Sequence, residues 1–286
     1  MSQQQSTQAQ RILVTGGSSY LGRHLVPLAG PRLDVHYTYY SDRPTWAMAV
    51  GHQLDLRDKT AVLHMLQSLR PTTIIHLAGS NRTPDMTAVI VEGTGHITAA
   101  AKMLSARLIH LSTDVIFDGT QAPYDETAVA TPLNAYGQAK AQAEQIVQTH
   151  ANSVIIRTSL IYGLQHMDHG TSWIATALRA GQPVTLFNNQ YRNPVWANSL
   201  SQACIELIDH AYTGILNVAG QQRLSRAEFA LRLLDWWDIP ERQPITIGPT
   251  TSDQWPLDCT LDLRRATAVL QTPLPGVDDV LQQHKQ

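Results

Sequence analysis

The chain has 286 residues, a formal net charge of −2, and 43% hydrophobic and 15% charged residues. These values are typical of a globular protein and exclude a basic nucleic-acid face or a polybasic membrane anchor. No apolar run approaches the roughly 20 residues of a spanning helix, so we expect a soluble protein. The cysteines, Cys204 and Cys259, lack metal-ligand spacing and predict reduced thiols in the cytoplasm. Residues 1–10 are polar and predict a disordered tail rather than a signal peptide.

The first predicted element is a strand that runs into a glycine-rich turn. Arg11–Thr15 is an apolar, β-branched run, and residues 23–29 after the turn have helical spacing. In a dinucleotide-binding turn, Gly16 would make the tight bend and Gly22 would let the helix pack closely, with a pyrophosphate at the helix N-terminus. An ordinary strand–loop–helix turn without a ligand remains the alternative. The cofactor-binding candidates here are Gly16, Ser18, Ser19, Tyr20, Leu21 and Gly22, with Ser19 in the usual place of a middle glycine.

The end of the second predicted strand, residues 33–39, indicates which cofactor is bound. An acidic residue there would favour NAD, but this chain offers hydroxyls and a guanidinium, which suit a 2′-phosphate better. We therefore predict NADPH, with NADH as a second donor, although Arg43 could be a solvated loop residue. Asp55, in a brief strand end predicted at 53–56, could bind the adenine amine. The candidates of this region are Tyr40, Ser41, Arg43, Asp55 and Leu56.

Strands and helices then alternate along the chain. Helices are predicted at 59–69 and 88–104, and strands at 73–78, 107–111 and 153–158. This alternation predicts right-handed βαβ units and a parallel sheet covered on both faces, with ligands at the carboxyl ends of the strands. Gly16, Ala78 and Thr113 all fall at such ends. The same edge adds Leu77 and Gly79 as cofactor-binding candidates and Ser80 as a substrate-binding candidate.

A hydroxyl, a phenol and an amine are the candidate catalytic groups. Thr113 follows the strand 107–111, and Tyr136 and Lys140 lie four residues apart in a helix predicted to start at Thr131 and Pro132. In a carbonyl reductase, such a phenol protonates the developing alkoxide and the ammonium lowers the pKa of the phenol, while the threonine hydroxyl binds the carbonyl oxygen. Tyr136 and Lys140 are also cofactor-binding candidates. Exposed helix residues are the alternative interpretation.

Beyond residue 160 the pattern becomes mixed. Helices are predicted at 171–180, 198–211 and 225–237, and strands at 182–187 and 214–219. The predicted fold is α/β, with a Rossmann-type doubly wound parallel sheet at residues 11–160. A smaller mixed α/β substrate lobe is predicted at residues 161–286, and parts of this segment are expected to return to the Rossmann core. Trp236 and Trp237 predict a core or subunit-contact stripe, which makes a homodimer plausible. His166 and His169 are interpreted as solvated or substrate-facing rather than as metal ligands.

Several motifs resemble those of the extended short-chain dehydrogenase/reductases, within them the dTDP-4-dehydrorhamnose reductase group. They are TGGSSYLG (15–22), STDVIFDG (112–119), YDE (124–126), PLNAYGQAKAQAE (132–144), RTSLIYG (157–163), NNQYRNPVWA (188–197) and LNVAGQQRLSRAEFA (216–230). The resemblance implies reduction of a 4-keto group on a nucleotide-linked 6-deoxy sugar by NADPH. It assigns the carbonyl contact to Thr113, the proton to Tyr136, the nicotinamide ribose to Lys140, and a place beside the substrate to Asp114.

Two positions depart from the family pattern. Leu160 stands where a tryptophan commonly holds the sugar, and Trp255 stands where an arginine is expected to contact the nucleotide diphosphate. Arg192 and Arg223 are the candidates to supply that guanidinium. The departures leave two alternatives open. One is a non-catalytic NADP-binding regulatory subunit, like that of methionine adenosyltransferase. The other is a sugar-nucleotide epimerase or dehydratase.

Overall fold

A computed structural model describes residues 10–79 and 84–285 of the chain. The predicted tail, apart from Gln10, and the substrate candidate Ser80 lie outside the described residues. The strands in chain order are β1 (Arg11–Thr15), β2 (Asp34–Tyr39), β3 (Ala49–Gln53), β4 (Thr73–His76), β5 (Arg107–Leu111), β6 (Ser153–Arg157), β7 (Ile161–Tyr162), β8 (Val184–Phe187), β9 (Tyr191–Arg192), β10 (Val195–Trp196), β11 (Gly214–Asn217), β12 (Leu224–Ser225) and β13 (Ile245–Gly248).

One main sheet dominates the fold. Its seven strands lie in the order β11-β6-β5-β4-β1-β2-β3, and every neighbouring pair is parallel. The central strands β4 and β6 are buried at every position, because helices cover both faces of the sheet. The predicted Rossmann-type doubly wound sheet is therefore confirmed.

Helices cover each face of this sheet, and others lie apart from it. In chain order the helices are α1 (Tyr20–Ala29), α2 (Lys59–Leu69), α3 (Gly93–Leu104), α4 (Ala135–Gln148), α5 (His169–Arg179), α6 (Ala197–Glu206), α7 (Arg226–Trp236), α8 (Arg264–Val269) and α9 (Val277–His284). Apolar residues of α1 and α6 pack in one core cluster with the β1 side chains Ile12 and Val14. Those of α2 and α3 pack in a second cluster with Leu13 on the opposite face, as the alternation of side chains along a strand requires.

Most predicted elements agree with the structure in position. The helix α2 has the predicted bounds, whereas the predicted helix 88–104 begins with a π-helical turn at Ala88–Glu92 before α3. The strand β3 ends at Gln53, so Asp55 and Leu56 follow the strand rather than belong to it. The short strands β7, β9, β10 and β12 were not predicted, since two residues carry no readable periodicity.

The C-terminal part is divided between the main sheet and a separate cluster. The strand β11 extends the main sheet beside β6, and α6 contacts α1, whereas α5, α7 and the parallel pair β8–β13 pack around a core of their own. The domain boundary at residue 160 and the substrate lobe with its returns to the core stay predictions. Trp237 packs against apolar clusters of its own chain. None of the helices in residues 10–79 and 84–285 has the length and hydropathy needed to cross a bilayer.

Candidate active site

The ends of β1, β4 and β5 bring the predicted site residues to one edge of the sheet. Gly16 has a φ of +69°, and a Cβ added there would lie 2.9 Å from the backbone N and Cα of Ala78. Only glycine allows these two strand ends to approach so closely. Because β5 lies beside β4, Thr113 follows at the same edge. Leu77 is buried there and Gly79 adopts a φ of +135°.

The glycine turn is shaped as a cradle for a pyrophosphate. A Cβ on Gly22 would lie 2.4 Å from the carbonyl oxygen of Gly17, so glycine lets α1 begin directly against the turn. Ser19 caps α1, its Oγ accepting a hydrogen bond from the Gly22 N–H at 3.1 Å. This explains the serine in the place of a glycine. The N–H groups of Tyr20 and Leu21 lie in the first turn of α1, where no intrahelical acceptor exists and an anion is favoured. The residues present therefore fit a dinucleotide.

The Tyr20 side chain has a structural contact of its own. Its hydroxyl donates to the carbonyl oxygen of His166 at 2.8 Å, and burial is the main reason that the pKa of Tyr20 is raised. This bond ties the glycine turn to the loop before α5.

Three arginines, Arg57, Arg23 and Arg43, belong to the region predicted to bind the adenosine ribose. Arg57 donates to Asp55 at 2.7 Å and to Asp85 at 2.6 Å, and it lies 5.9 Å from the ring centroid of Tyr40. Sequence reasoning missed Arg57, although its spacing of two from Asp55 was a usable signal. Arg23 pairs with Asp42. The adenine contact of Asp55 and the contact at Leu56 stay predictions.

Arg43 is the arginine of this region that keeps its charge available. It is exposed, it lies 5.9 Å from the ring centroid of Tyr39, and it has no carboxylate partner within the described ranges.

We expect Arg43→Ala to raise the KM for NADPH about tenfold, as the loss of one charge-assisted hydrogen bond implies, and to leave the KM for NADH unchanged. Steady-state kinetics with both donors checks this. Arg32→Ala, an exposed arginine near the opposite end of β2, is the control, and equal effects of Arg43→Ala on both donors would contradict the assignment.

The candidate catalytic hydroxyls are neighbours. The side chain of Tyr136 lies close enough to the Thr113 hydroxyl for that hydroxyl to influence its pKa, and Thr113 is buried at the start of the turn Asp114–Ile116 that follows β5. Gly137 makes this approach feasible, because a Cβ there would lie 2.4 Å from the carbonyl oxygen of Val115.

The start of the helix that carries Tyr136 was predicted wrongly. The helix begins at Ala135, and Asn134 caps it by accepting from the Gly137 N–H at 2.9 Å. Thr131 is engaged elsewhere, since its hydroxyl accepts from the N–H of Asp118 at 3.1 Å. Both Thr and Asn are good N-caps, so the tertiary contact of Thr131 decides between them.

Lys140 lies one helical turn after Tyr136 and is buried. Its Nζ donates to the carbonyl oxygen of Leu111 at 2.5 Å, and burial lowers the pKa of Lys140 to about 8 against the opposing charge of Glu144.

The expectation that Lys140 lowers the pKa of Tyr136 is wrong. Burial and the charge of Asp114 raise the pKa of Tyr136 to about 12, with only the neighbouring Thr113 hydroxyl opposing them. The phenol is therefore protonated at neutral pH, the form that donates a proton.

A pair of buried histidines lies beneath Lys140. His76 binds the Thr15 hydroxyl at 2.6 Å and the Thr94 hydroxyl at 3.0 Å, and its ring centroid is 5.1 Å from that of His110. Burial, with the Lys140 charge, lowers the pKa of His76 to about 3 and that of His110 well below its ordinary value. Both rings are neutral in the folded protein near neutral pH.

These histidines make the protein less stable in mild acid. Below the unfolded-state pKa of roughly 6.5, the unfolded chain binds protons that buried neutral rings do not, so stability falls as pH falls. Between roughly pH 6.5 and about pH 3, His76 lowers the free energy of unfolding by about 1.4 kcal/mol for each unit by which the pH falls. We expect His76→Gln to reduce this slope in urea unfolding between mildly acidic and neutral pH. His64→Gln, at an exposed site on α2, is the control, and an unchanged slope in His76→Gln would contradict the account.

The substrate candidates take different places. Asp114 is buried and accepts a hydrogen bond from the Ser159 hydroxyl at 2.6 Å. Arg192 is also buried, and its Nε lies 3.6 Å from the Asp114 carboxylate. Its Nη2 donates to the carbonyl oxygen of Pro256 at 3.0 Å. Leu160 is half-buried against an apolar cluster. Trp255 is 41% exposed next to Gln254, whose carbonyl accepts from the Asn134 side chain that caps α4.

The second arginine proposed from the sequence lies outside this group. Arg223 stacks 3.5 Å over the ring centroid of Tyr191 and donates to Asp258 at 2.7 Å. Its charge is thus already paired. Sequence reasoning missed Arg226, three residues further on, whose pKa is lowered by burial and by the charge of Arg192, against the charge of Asp114.

A doubly wound parallel sheet with this glycine turn and a Thr–Tyr–Lys set defines the class of extended short-chain dehydrogenase/reductases. A family model described as RmlD substrate binding domain matches residues 10–284, and the chain belongs to this family. It is 34% identical over 220 residues to a dTDP-4-keto-6-deoxy-D-glucose reductase of Streptomyces niveus, with 72% of each chain covered.

Two further relatives cover more of the chain. Methionine adenosyltransferase 2 subunit beta of Bos taurus is 25% identical over 281 residues, covering 89% of this chain and 81% of the relative. A solved structure described as a hypothetical dTDP-4-dehydrorhamnose reductase from Sulfolobus tokodaii is 30% identical. It superposes with a TM-score of 0.82, covering 96% of this chain and 98% of that chain.

Proposed function

We propose that this protein is an NADPH-dependent reductase of a nucleotide-linked 4-keto-6-deoxy sugar. The observation that carries the proposal is the placement of a protonated Tyr136 next to the Thr113 hydroxyl, one helical turn from Lys140 and at the sheet edge that holds the glycine turn. The Streptomyces niveus relative, named for such a substrate, supports the sugar class.

The side chains account for the proton that the reaction needs. A reduced dinucleotide whose pyrophosphate is held by the glycine turn would supply the hydride for the carbonyl carbon. Thr113 and Tyr136 hold the carbonyl oxygen between two hydroxyls, and Tyr136 transfers its proton to that oxygen as negative charge develops. The ketone thus gains a hydride and a proton and becomes an alcohol. A phenol with a pKa of about 12 favours this direction, because the reverse reaction needs the phenolate.

The proposal is tested by NADPH oxidation against a panel of enzymatically prepared nucleotide 4-keto-6-deoxy sugars. Loss of reduced-nicotinamide absorbance with one panel member, and none with the same nucleotide sugar lacking the keto group, is the expected result. NADPH binding without turnover on any member would reject the reductase.

A non-catalytic regulatory subunit is the second candidate, because the methionine adenosyltransferase relative covers 89% of this chain. It predicts a stable complex with a second enzyme whose activity changes on binding, and no sugar turnover. A lone protein that reduces a keto sugar would remove this candidate.

The proposal includes a cytoplasmic location, which the two free and buried cysteines, Cys204 and Cys259, support. A homodimer stays a prediction. The tryptophan-rich helix that suggested a dimer gives it less support, because Trp237 packs against apolar clusters of its own chain. Sedimentation of the purified chain with NADPH would decide the subunit number.

A further inference from the structure

A buried polar contact joins the candidate catalytic lysine to the strand β5. The register of β4 and β5 sets His76 beside His110, and both rings are fully buried. From α4, the Nζ of Lys140 lies 3.4 Å from Nε2 of His110, within reach of a hydrogen bond. The carbonyl oxygen of Leu111 accepts from the same Nζ at 2.5 Å. Two consecutive residues of one strand therefore hold the lysine head group.

The His76 ring restricts the position of His110. Its two nitrogens bond the hydroxyls of Thr15 at 2.6 Å and Thr94 at 3.0 Å, which come from β1 and α3. Its ring centroid lies 5.1 Å from that of His110. Because both of its nitrogens are already bonded, His76 leaves the contact with Lys140 to His110.

The contact with Lys140 specifies which nitrogen of His110 carries the proton. In a neutral imidazole one nitrogen donates and the other accepts, whereas an ammonium only donates. The nitrogen that faces Lys140, Nε2, must therefore be the acceptor, and Nδ1 must carry the proton. Among the described residues the buried Nδ1 has no hydrogen-bond partner, so Lys140 is the contact that selects the tautomer.

The other charged groups around Lys140 are paired or neutral. Glu144, one turn further along α4, acts on the Lys140 charge but is paired with Arg157 of β6 at 2.9 Å. Both buried histidines are neutral, because burial and the charge of Lys140 lower the pKa of each. Tyr136, one turn earlier, is protonated. In the part of the chain that the structure describes, the Lys140 ammonium therefore has one carbonyl and one imidazole as hydrogen-bond acceptors.

We infer that His110 is a positioning residue that accepts a hydrogen bond from the Lys140 ammonium and so holds this cation in place for the nicotinamide ribose. The inference rests on the proposed function for the ribose contact of Lys140. An ammonium has three N–H groups, and the Leu111 carbonyl and His110 occupy two of them. The third remains for a ribose hydroxyl.

The first test reads the tautomer of His110 in the wild-type chain at neutral pH, without cofactor or substrate. Lys140, with a pKa of about 8, is mainly an ammonium under these conditions. Long-range proton–nitrogen correlation spectra of protein labelled with nitrogen-15 histidine distinguish the two tautomers, and His110→Gln identifies the signal by its loss. We expect a proton on Nδ1 and none on Nε2. A proton on Nε2 would overturn the inference, because an N–H cannot accept from an ammonium.

The second test measures NADPH affinity as a function of pH by fluorescence titration. The ammonium is lost as the pH rises through the Lys140 pKa of about 8, so the affinity of the wild type should fall there. His110→Leu keeps the site buried but removes the acceptor. This fall should then move about one pH unit lower, the effect of one hydrogen bond to a charged group. His110→Gln, whose Oε1 can replace Nε2 as acceptor, should restore the wild-type midpoint.

His150→Leu is the matched control for a buried histidine with a structural bond. The Nε2 of His150 donates to the carbonyl oxygen of Ala106 at 2.8 Å, just before the first residue of β5 and at the opposite end of that strand from Leu111. Its loss should lower stability and leave the midpoint of the pH curve at the wild-type value. Equal midpoints in wild type and His110→Leu would show that His110 only packs, and would overturn the inference.

The outcomes separate this inference from the proposed function. A proton on Nε2 in a protein that reduces keto sugars would overturn the inference alone. The expected tautomer and pH shift in a protein that reduces no keto sugar would support the positioning of Lys140 and reject the reductase. A wild type that binds no NADPH would overturn both.

Discussion

Tyr136→Phe is expected to lower kcat by about 10²-fold to 10⁴-fold, the contribution of a positioned general acid. The variant loses the proton donor, while the phenyl ring still packs beside Ile90 and Ala139. Since the ring remains, we expect the affinity for NADPH to stay within about twofold, a change below the energy of one hydrogen bond. Single-turnover kinetics and fluorescence titration with NADPH measure the two quantities.

Tyr162→Phe is the matched control. Tyr162 is fully buried, and its hydroxyl has no hydrogen-bond partner within the part of the chain that the structure describes. Removing that hydroxyl should therefore leave both turnover and stability unchanged or slightly improved. Wild-type turnover in Tyr136→Phe would show that another group delivers the proton.

Glu144→Gln is expected to lower the free energy of unfolding by about 3–5 kcal/mol, the cost of leaving a buried charge unpaired. Glu144 and Arg157 form an ion pair at 2.9 Å with both side chains 4% exposed. Glu144 also accepts from the Ser112 hydroxyl at 2.5 Å, so the pair ties α4 to β5 and β6 directly beneath Thr113. Urea unfolding at neutral pH measures the loss.

Two further variants separate burial from charge. The double variant Glu144→Leu/Arg157→Met removes both charges and should recover most of the stability, because apolar side chains of similar volume can replace a buried pair. Asp235→Asn breaks the exposed pair with Arg242 and should cost less than about 1 kcal/mol. A cost for Glu144→Gln as small as that of the surface pair would contradict the role assigned to it.

The main sheet could be predicted because its signals are local. The buried run Thr73–His76 and the amphipathic helix Lys59–Leu69 carry their periodicity in their own residues, and the glycine turn marks where the first strand ends. The meeting of Gly16, Ala78 and Thr113 at one edge followed from the rule that parallel strands present their carboxyl ends together. The finer bounds, such as the start of α4, depend on contacts that are distant in sequence.

The electrostatics of the site could not be predicted in the same way. The burial of Arg192 depends on a two-residue strand pair, β9 with β12, that has no signature in the sequence. The pKa of Tyr136 was expected to fall and instead rises, because burial and the charge of Asp114 dominate. Such terms are set by tertiary packing rather than by residue type.

Hydride transfer to the sugar carbon is tested most directly with NADPH that carries deuterium at nicotinamide C4. We predict that the reduced sugar nucleotide gains one deuterium, located at C4 of the hexose by nuclear magnetic resonance, when the transferred face of the nicotinamide is labelled. Product without deuterium from either labelled face, or an epimerised sugar formed without consumption of NADPH, would contradict the assignment of this chain as a reductase.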